Sequence, residues 1–338
     1  MYKDSIFDVA TNPNLPYERF IGKNILITGA TGLIGTALVD VLMARPESEF
    51  QVYAAGRNET RAKERFVEYT HRKNFHFLKY DVLSPLDSNV DFHFIIHAAS
   101  NASPNDFATH PVEVMKSNLI GVCNLFDYGL KHGLERLLYI SSGEIYGQGD
   151  GSDFDESYSG YVDTTLPRSC YPSSKRAAET LCVSYADEYG VDVVIARPCH
   201  IYGPKFSESD NRAYAQFFRN AIQGEDIVLK SSGEQIRSWC YVIDCASALL
   251  HILLKGESGQ AYNIAESSCT IRVLAETVAM TKGTGVTFVL PTDYERKGYN
   301  IVMRSILSCK RLAHLGWSPR FDLSKGIRES IDELLHIY

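Results

Sequence analysis

The stretch Ile25-Leu26-Ile27-Thr28-Gly29-Ala30-Thr31-Gly32-Leu33-Ile34-Gly35 carries an apolar run straight into three glycines, at positions 29, 32 and 35. Ile25 to Ile27 read as a fully buried parallel strand. In a dinucleotide-binding turn, the first glycine allows a tight bend, the second lets backbone approach a pyrophosphate, and the third lets the next helix pack on the strand. The phosphates then sit at a helix N-terminus, where free N–H groups and the helix dipole favour anions. A glycine triplet alone fits any strand-to-helix turn. The strand before it and the apolar helix positions Leu33, Ile34, Ala37, Leu38, Val41 and Leu42 after it point to the dinucleotide site.

Working outward, Phe50 to Ala55 reads as a second strand, whose end should carry an acid for the ribose 2′-hydroxyl of NAD. Here the sequence is Gly56-Arg57-Asn58. An arginine there matches a 2′-phosphate, so NADP is slightly favoured over NAD; the alternative is a solvated arginine stacked on the adenine. Phe75 to Tyr80 forms a third strand, ending in Asp81-Val82, where Asp81 suits the adenine amino group. Phe92 to His97 forms a fourth, followed by the small Ala98-Ala99-Ser100, which lets the nicotinamide ribose approach; His97 reads as a packed strand-end residue. Val112 to His132 reads as a helix with Asn118 on its face, a tie between neighbouring groups or a satisfied core amide.

Leu137 to Ser141 is the fifth strand, and Ser142-Gly143-Glu144 follows it. Tyr171 lies 24 residues beyond Gly147 and opens Tyr171-Pro172-Ser173-Ser174-Lys175. One helical turn places Tyr171 and Lys175 on a single face. Lys175 as a cation is expected to stabilise the Tyr171 phenolate, bringing a phenol of ordinary pKa near 10 into use as a base. Ser142 can bind the same substrate oxygen, and Glu144 can act on a different carbon. Tyr-x-x-x-Lys alone is common on helices; after a dinucleotide turn and a serine-rich strand end it marks a catalytic set.

Val193 to Arg197 is the sixth strand. Beyond Pro198-Cys199-His200 the even alternation of strand and helix stops. The expected organisation is an N-terminal extension (1–22), an NAD(P)-binding domain (23–198, also receiving about 238–266) and a mainly substrate-binding lobe (199–338). The fold class is therefore α/β, a Rossmann-like doubly wound parallel sheet with a smaller C-terminal α/β lobe. Arg212, Arg237, Arg296 and Arg304 in that lobe are candidate diphosphate clamps, because guanidinium forks match phosphate oxygens.

Composition excludes several function classes. The chain of 338 residues is 45% apolar with a net charge of −7, so a nucleic-acid partner has no electrostatic support. Eight cysteines form no CxxC pair and no metal-ligand ladder. They read as reduced core thiols of a cytoplasmic protein with no metal. The first twenty residues lack a signal-peptide pattern, and no apolar run is long enough for a membrane span.

Together TGATGLIG, HAAS, SSGEIYG, YPSSK, RPCHIYGP, RSWCYVID and the closing LGW resemble the extended short-chain dehydrogenase/reductase family of nucleotide-sugar epimerases, dehydratases and decarboxylases. Within that family, HAASNASPNDF and the Ser142-x-Glu144 pattern look most like UDP-glucuronate decarboxylases. The resemblance implies a nucleotide-diphosphate sugar, a transient 4-keto intermediate with internal hydride return, and a homodimer. Its cofactor contacts would be Gly29, Thr31, Gly32, Leu33, Ile34, Gly35, Arg57, Asn58, Asp81, Val82, Ala98, Ala99, Ser100, Asn118, Tyr171, Lys175, Pro198 and His200. Its substrate contacts would be Ser103, Ser142, His200, Arg212, Arg237 and Arg304. Three departures stand out: His200 replaces an asparagine, Gly56-Arg57 replaces the cofactor acid, and Arg296-Lys297-Gly298-Tyr299 lacks the acid of Arg-x-Gly-Asp. A 4-ketoreductase using NADPH, in which Glu144 would be idle, and a non-catalytic NAD(P) sensor are the alternatives.

Overall fold

Strand and helix alternate through the first 198 residues of the computed structural model, which describes residues 2–208, 210–289 and 302–337. In order these are α1 (Tyr2–Ala10), β1 (Asn24–Thr28), α2 (Leu33–Met43), β2 (Gln51–Gly56), α3 (Glu59–Arg65), β3 (Phe75–Lys79), β4 (Phe94–His97), α4 (Pro104–Thr109), α5 (Pro111–Gly129), β5 (Arg136–Ile140), α6 (Cys170–Tyr189) and β6 (Val193–Pro198). The rest comprises β7 (His200–Tyr202), α7 (Ala213–Gln223), β8 (Ile227–Leu229), β9 (Ile236–Tyr241), α8 (Val242–Lys255), β10 (Ala261–Ile264), β11 (Ser267–Thr270), α9 (Ile271–Lys282), β12 (Val286–Phe288), β13 (Arg304–Ser305), α10 (Lys310–His314) and α11 (Leu323–Ile337).

The large sheet has seven strands in the order β10-β6-β5-β4-β1-β2-β3, every neighbour parallel. Ile25 and Ile27 pack with α2 and α8 on one face, while Leu26 packs with α5 on the other. Burial on both faces is why β1 is apolar at successive positions. Chain order reverses between β1 and β4, opening a crevice beyond their carboxyl ends, the usual ligand position in such sheets. The doubly wound α/β fold is therefore the one expected.

After β7 the chain builds a smaller sheet, β11-β9-β13 with β7 also on β9, and a separate β12-β8 pair. Between them, α8 and β10 return to the large sheet, with Ala261 opposite Ile195. Most differences from the expected bounds are one or two residues. Helix α7 starts at Ala213, because Arg212 is extended and its backbone N–H is held by Asp210 Oδ1 at 3.1 Å. At the N-terminus, α1 packs on α2, whose buried Asp40 accepts from Tyr2, Tyr69 and Lys205, each at 3.0 Å. A lone carboxylate in an apolar helix is thereby compensated.

None of the eight cysteines is paired; Cys123, Cys199, Cys269 and Cys309 are half-buried rather than fully in the core. Among the described residues no helix is long and apolar enough to cross a membrane, and no cluster of three or more metal-ligating side chains occurs.

Candidate active site

The β1–α2 turn is shaped for a ligand that needs backbone contact. Gly29 has φ +66°, and a Cβ there would lie 2.7 Å from the Ala98 carbonyl and the Ala99 nitrogen. A Cβ on Gly35 would strike Ala30 Cα at 2.7 Å. Both glycines are thus required by the packing of the turn against β4 and of α2 on the turn. At the start of α2, Gly32 offers no capping side chain, so the first-turn N–H groups of Leu33, Ile34 and Gly35 face the crevice edge without a side-chain acceptor. That donor set, with Thr31 beside it, fits a dinucleotide pyrophosphate.

Along the same edge, Arg57 overlooks a cleft of about 500 Å³ lined also by Leu78, Tyr80, Asp81 and Leu86. Its guanidinium is 3.4 Å from both Glu113 and Asn101. Asp81 accepts from the Leu83 N–H at 3.0 Å, leaving one oxygen uncommitted, with Val82 buried behind it. Asn58 caps α3 by accepting from Arg61 N at 2.9 Å, and Ser103 caps α4 by accepting from Asp106 N at 3.2 Å. Both side chains expected at ligands are committed to helix ends. Asn118 is fully buried; it accepts from Ser100 Oγ and donates to Ser174 Oγ, each at 2.9 Å. It therefore ties the end of β4 to α6.

Tyr171 and Lys175 occupy the first two turns of α6, both buried. Lys175 Nζ donates to the Ile140 carbonyl at 2.8 Å and lies 4.8 Å from the Tyr139 ring centroid and 5.8 Å from that of Tyr171. Burial pushes the ammonium down to about 7, against the pull of Glu179. Burial first, then the Glu144 carboxylate, push Tyr171 up to about 12, while Ser142, Arg212 and Arg168 pull the other way. In the chain by itself, the desolvation that shelters the pair disfavours charge on both members. His97 is a packed residue, as expected; its Nδ1 is 2.7 Å from Thr28 Oγ1, and burial holds it neutral.

Glu144 sits on the short helical turn Gly143–Tyr146, and its own backbone N–H donates to Ser142 Oγ at 3.1 Å. Arg168 Nη2 is 2.9 Å from both Glu144 oxygens. The same guanidinium lies 4.5 Å over Phe107, which stacks on Tyr171 at 4.7 Å. The sequence reading missed Arg168 and Phe107. The former's signal was its place three residues before Tyr171; the latter's was its place at the end of the HAASNASPNDF run.

The expected substrate arginines divide. Arg237 is 2% exposed, bonded to the carbonyls of Ile236 and Val302, and has no carboxylate partner among the described residues. Burial lowers it to about 10, with Glu144 opposing. Arg212 lies near Tyr171 but is held by Asp210 and by Tyr214 at 2.8 Å. Arg304 is held by the Gly151 carbonyl and by Asp153, with its Nη2 2.5 Å from the Asp153 carboxylate. Arg296 and its neighbours Lys297, Gly298 and Tyr299 lie outside the described residues. His200, after the buried Pro198, is exposed, and its ring lies 5.2 Å from that of Trp239 at a tilt of 52°.

Comparison with known proteins agrees with this geometry. Residues 25–265 match the model of the NAD dependent epimerase/dehydratase family. UDP-glucuronic acid decarboxylase 6 of Arabidopsis thaliana is 33% identical over 317 residues, covering 92% of this chain and 89% of the relative. UDP-glucuronic acid decarboxylase 1 of Xenopus tropicalis is 32% identical, covering 91% of this chain and 71% of the relative. In fold, the chain is similar to UDP-N-acetylglucosamine 4-epimerase of Methanobrevibacter ruminantium M1, with a TM-score of 0.81, 21% identity and coverage of 94% and 100%. Glycine turn, Tyr171–Lys175 face and a family model spanning most of the sequence lead to one placement: the chain belongs to the NAD dependent epimerase/dehydratase family.

Proposed function

We propose that this enzyme, which modifies a nucleotide sugar through a transient 4-keto intermediate, finishes by releasing the C5 carboxylate of a hexuronate as CO₂. The observation that carries the choice is the Glu144–Arg168 pair, 2.9 Å at both oxygens. Dehydration and C5 epimerisation need a free base for the C5 proton, whereas loss of CO₂ from a 4-keto acid needs none. A carboxylate already engaged at both oxygens suits the latter. Relatives at 32% and 33% identity that are UDP-glucuronic acid decarboxylases support the same substrate class.

The chain's residues divide the work. Tyr171, hydrogen-bonded to Ser142, is placed to take the proton of the sugar 4-hydroxyl and later return it. Lys175, fixed on the Ile140 carbonyl, sets the charge beneath the phenol. Arg237, buried without a carboxylate, is the best-placed diphosphate partner. The α2 N-terminus, Gly29 and Asp81 would hold NAD(P). Bound there, it would supply the hydride acceptor for C4 and a positive charge near the phenol. NADP is favoured over NAD because Arg57 stands at the end of β2 where an acid would reject a 2′-phosphate. Eight unpaired cysteines support a cytoplasmic setting, and the exposed Val112, Met115 and Ile120 on α5 with Val183 on α6 support pairing with a second copy.

Incubation with UDP-glucuronate and oxidised cofactor should release CO₂ and a UDP-pentose. A UDP-hexuronate epimer without CO₂ would assign the enzyme to epimerisation instead.

A further inference from the structure

We propose that Arg168 is a positioning residue that withholds Glu144 from C5, so that the 4-keto sugar loses CO₂ before it can lose its C5 proton. The proposal rests on the decarboxylase reading above. Glu144 and Arg168 are 24 residues apart, yet their side chains meet at 2.9 Å with only about a fifth of each exposed, 21% and 18%. The guanidinium is braced on Phe107, and Phe107 on Tyr171, so the pair is fixed to the same assembly as the phenol. Glu144 also lies close enough to Tyr171 and Arg237 to act on the charge of both. A carboxylate base and the means to occupy it therefore stand together near the Tyr171 phenol.

The chemistry at C5 makes that occupation consequential. In a 4-keto hexuronate, C5 carries both a hydrogen and the carboxylate. Breaking C5–C6 sends its electron pair toward the C4 oxygen and releases CO₂, and the enolate then takes one proton at C5. Breaking C5–H sends the proton to a base and the electron pair to the same oxygen; reprotonation restores the sugar or gives its C5 epimer. Both routes start from the same ketone, so the outcome depends on whether a base can reach the C5 hydrogen. With Arg168 in place, Glu144 must first leave its cation to do so.

Deuterium counts the two events separately. In D₂O, direct decarboxylation of UDP-glucuronate places one deuterium at C5 of the pentose, whereas prior exchange of C5–H places two. Wild-type protein with oxidised cofactor should give mainly the singly labelled UDP-pentose by mass spectrometry. Arg168→Gln should raise the doubly labelled fraction several-fold, Arg168→Lys should raise it less, and Arg168→Gln combined with Glu144→Gln should return it to the wild-type ratio. A structural loss alone would slow turnover without changing the ratio. Doubly labelled product from the wild type, or an unchanged ratio in Arg168→Gln, would overturn the proposal. Should Arg168→Gln not fold, the wild-type ratio and Arg168→Lys decide by the same criterion. Absence of any pentose from the wild type defeats the decarboxylase reading itself, and this proposal with it.

Discussion

At the floor of the crevice, Lys175 is 2% exposed and bonded to a backbone carbonyl; at its rim, Arg57 is 57% exposed and shares Glu113 with Asn101. The floor groups Tyr171, Ser142, Lys175 and Asn118 are oriented by backbone or by one another across β4, β5 and α6. Arg304 at the rim, and Arg212, only a third exposed, are instead held by nearby carboxylates, Asp153 and Asp210. Removing water from the floor makes charge there costly and its placement exact in consequence; at the rim, water screens each pair and leaves it exchangeable. The floor therefore suits chemistry that depends on protonation, and the rim suits contacts that solvent can exchange.

The largest test of that division is Tyr171→Phe. Removing the hydroxyl deletes the proton acceptor but keeps the ring that stacks on Phe107 at 4.7 Å. Turnover should fall by about 10²–10⁴-fold, the usual contribution of a general acid–base group, while thermal melting and cofactor binding stay close to wild type. Near-normal activity would remove Tyr171 from the mechanism.

Lys175→Met asks what the floor costs the fold. The folded-state pKa is depressed from 10.5 to about 7 by burial. Below pH 7 the lysine is charged both folded and unfolded, and the desolvation penalty is fully present. Between pH 7 and 10.5 the unfolded chain binds the extra proton, so stability rises with pH, and above 10.5 the penalty is gone. The variant should therefore melt higher than wild type near pH 6, by about 1–3 kcal/mol after allowing for the lost Ile140 hydrogen bond, and the gap should close as pH rises toward 10. A gap independent of pH would show that packing, not charge, separates the two proteins.

Legibility in the sequence follows the same line. The β1–α2 turn could be read because a positive φ at Gly29 and the close approach of Ala98 are local demands that only glycine meets. Tyr171 and Lys175 could be read because one helical turn fixes their relation. The partners of Glu144, Asn118 and Arg304 could not, since Arg168, Ser174 and Asp153 reach them only through the tertiary fold. Asn58 and Ser103 carry a duty that the sequence reading did not include, since each caps the short helix it begins.

The smallest effect is expected at the rim, from Arg57→Ala. Among the described residues Arg57 is the only guanidinium lining the cleft beside Asp81, and the acid that would repel a 2′-phosphate is missing from the end of β2. A charge-assisted contact to phosphate is worth about 1.5–3 kcal/mol, but a side chain this exposed loses part of that to solvent and to its own contact with Glu113 at 3.4 Å. The variant should weaken NADP(H) about tenfold, equivalent to about 1.4 kcal/mol, and leave NAD(H) within roughly twofold because no phosphate contact is lost. Glu113→Gln should shift NADP(H) affinity the opposite way, by releasing the arginine, and higher salt should shrink both differences. Equal losses for the two cofactors in titration calorimetry would instead place Arg57 against the shared adenosine, where its flat guanidinium can stack on the ring, and the rim would then recognise a surface rather than a charge.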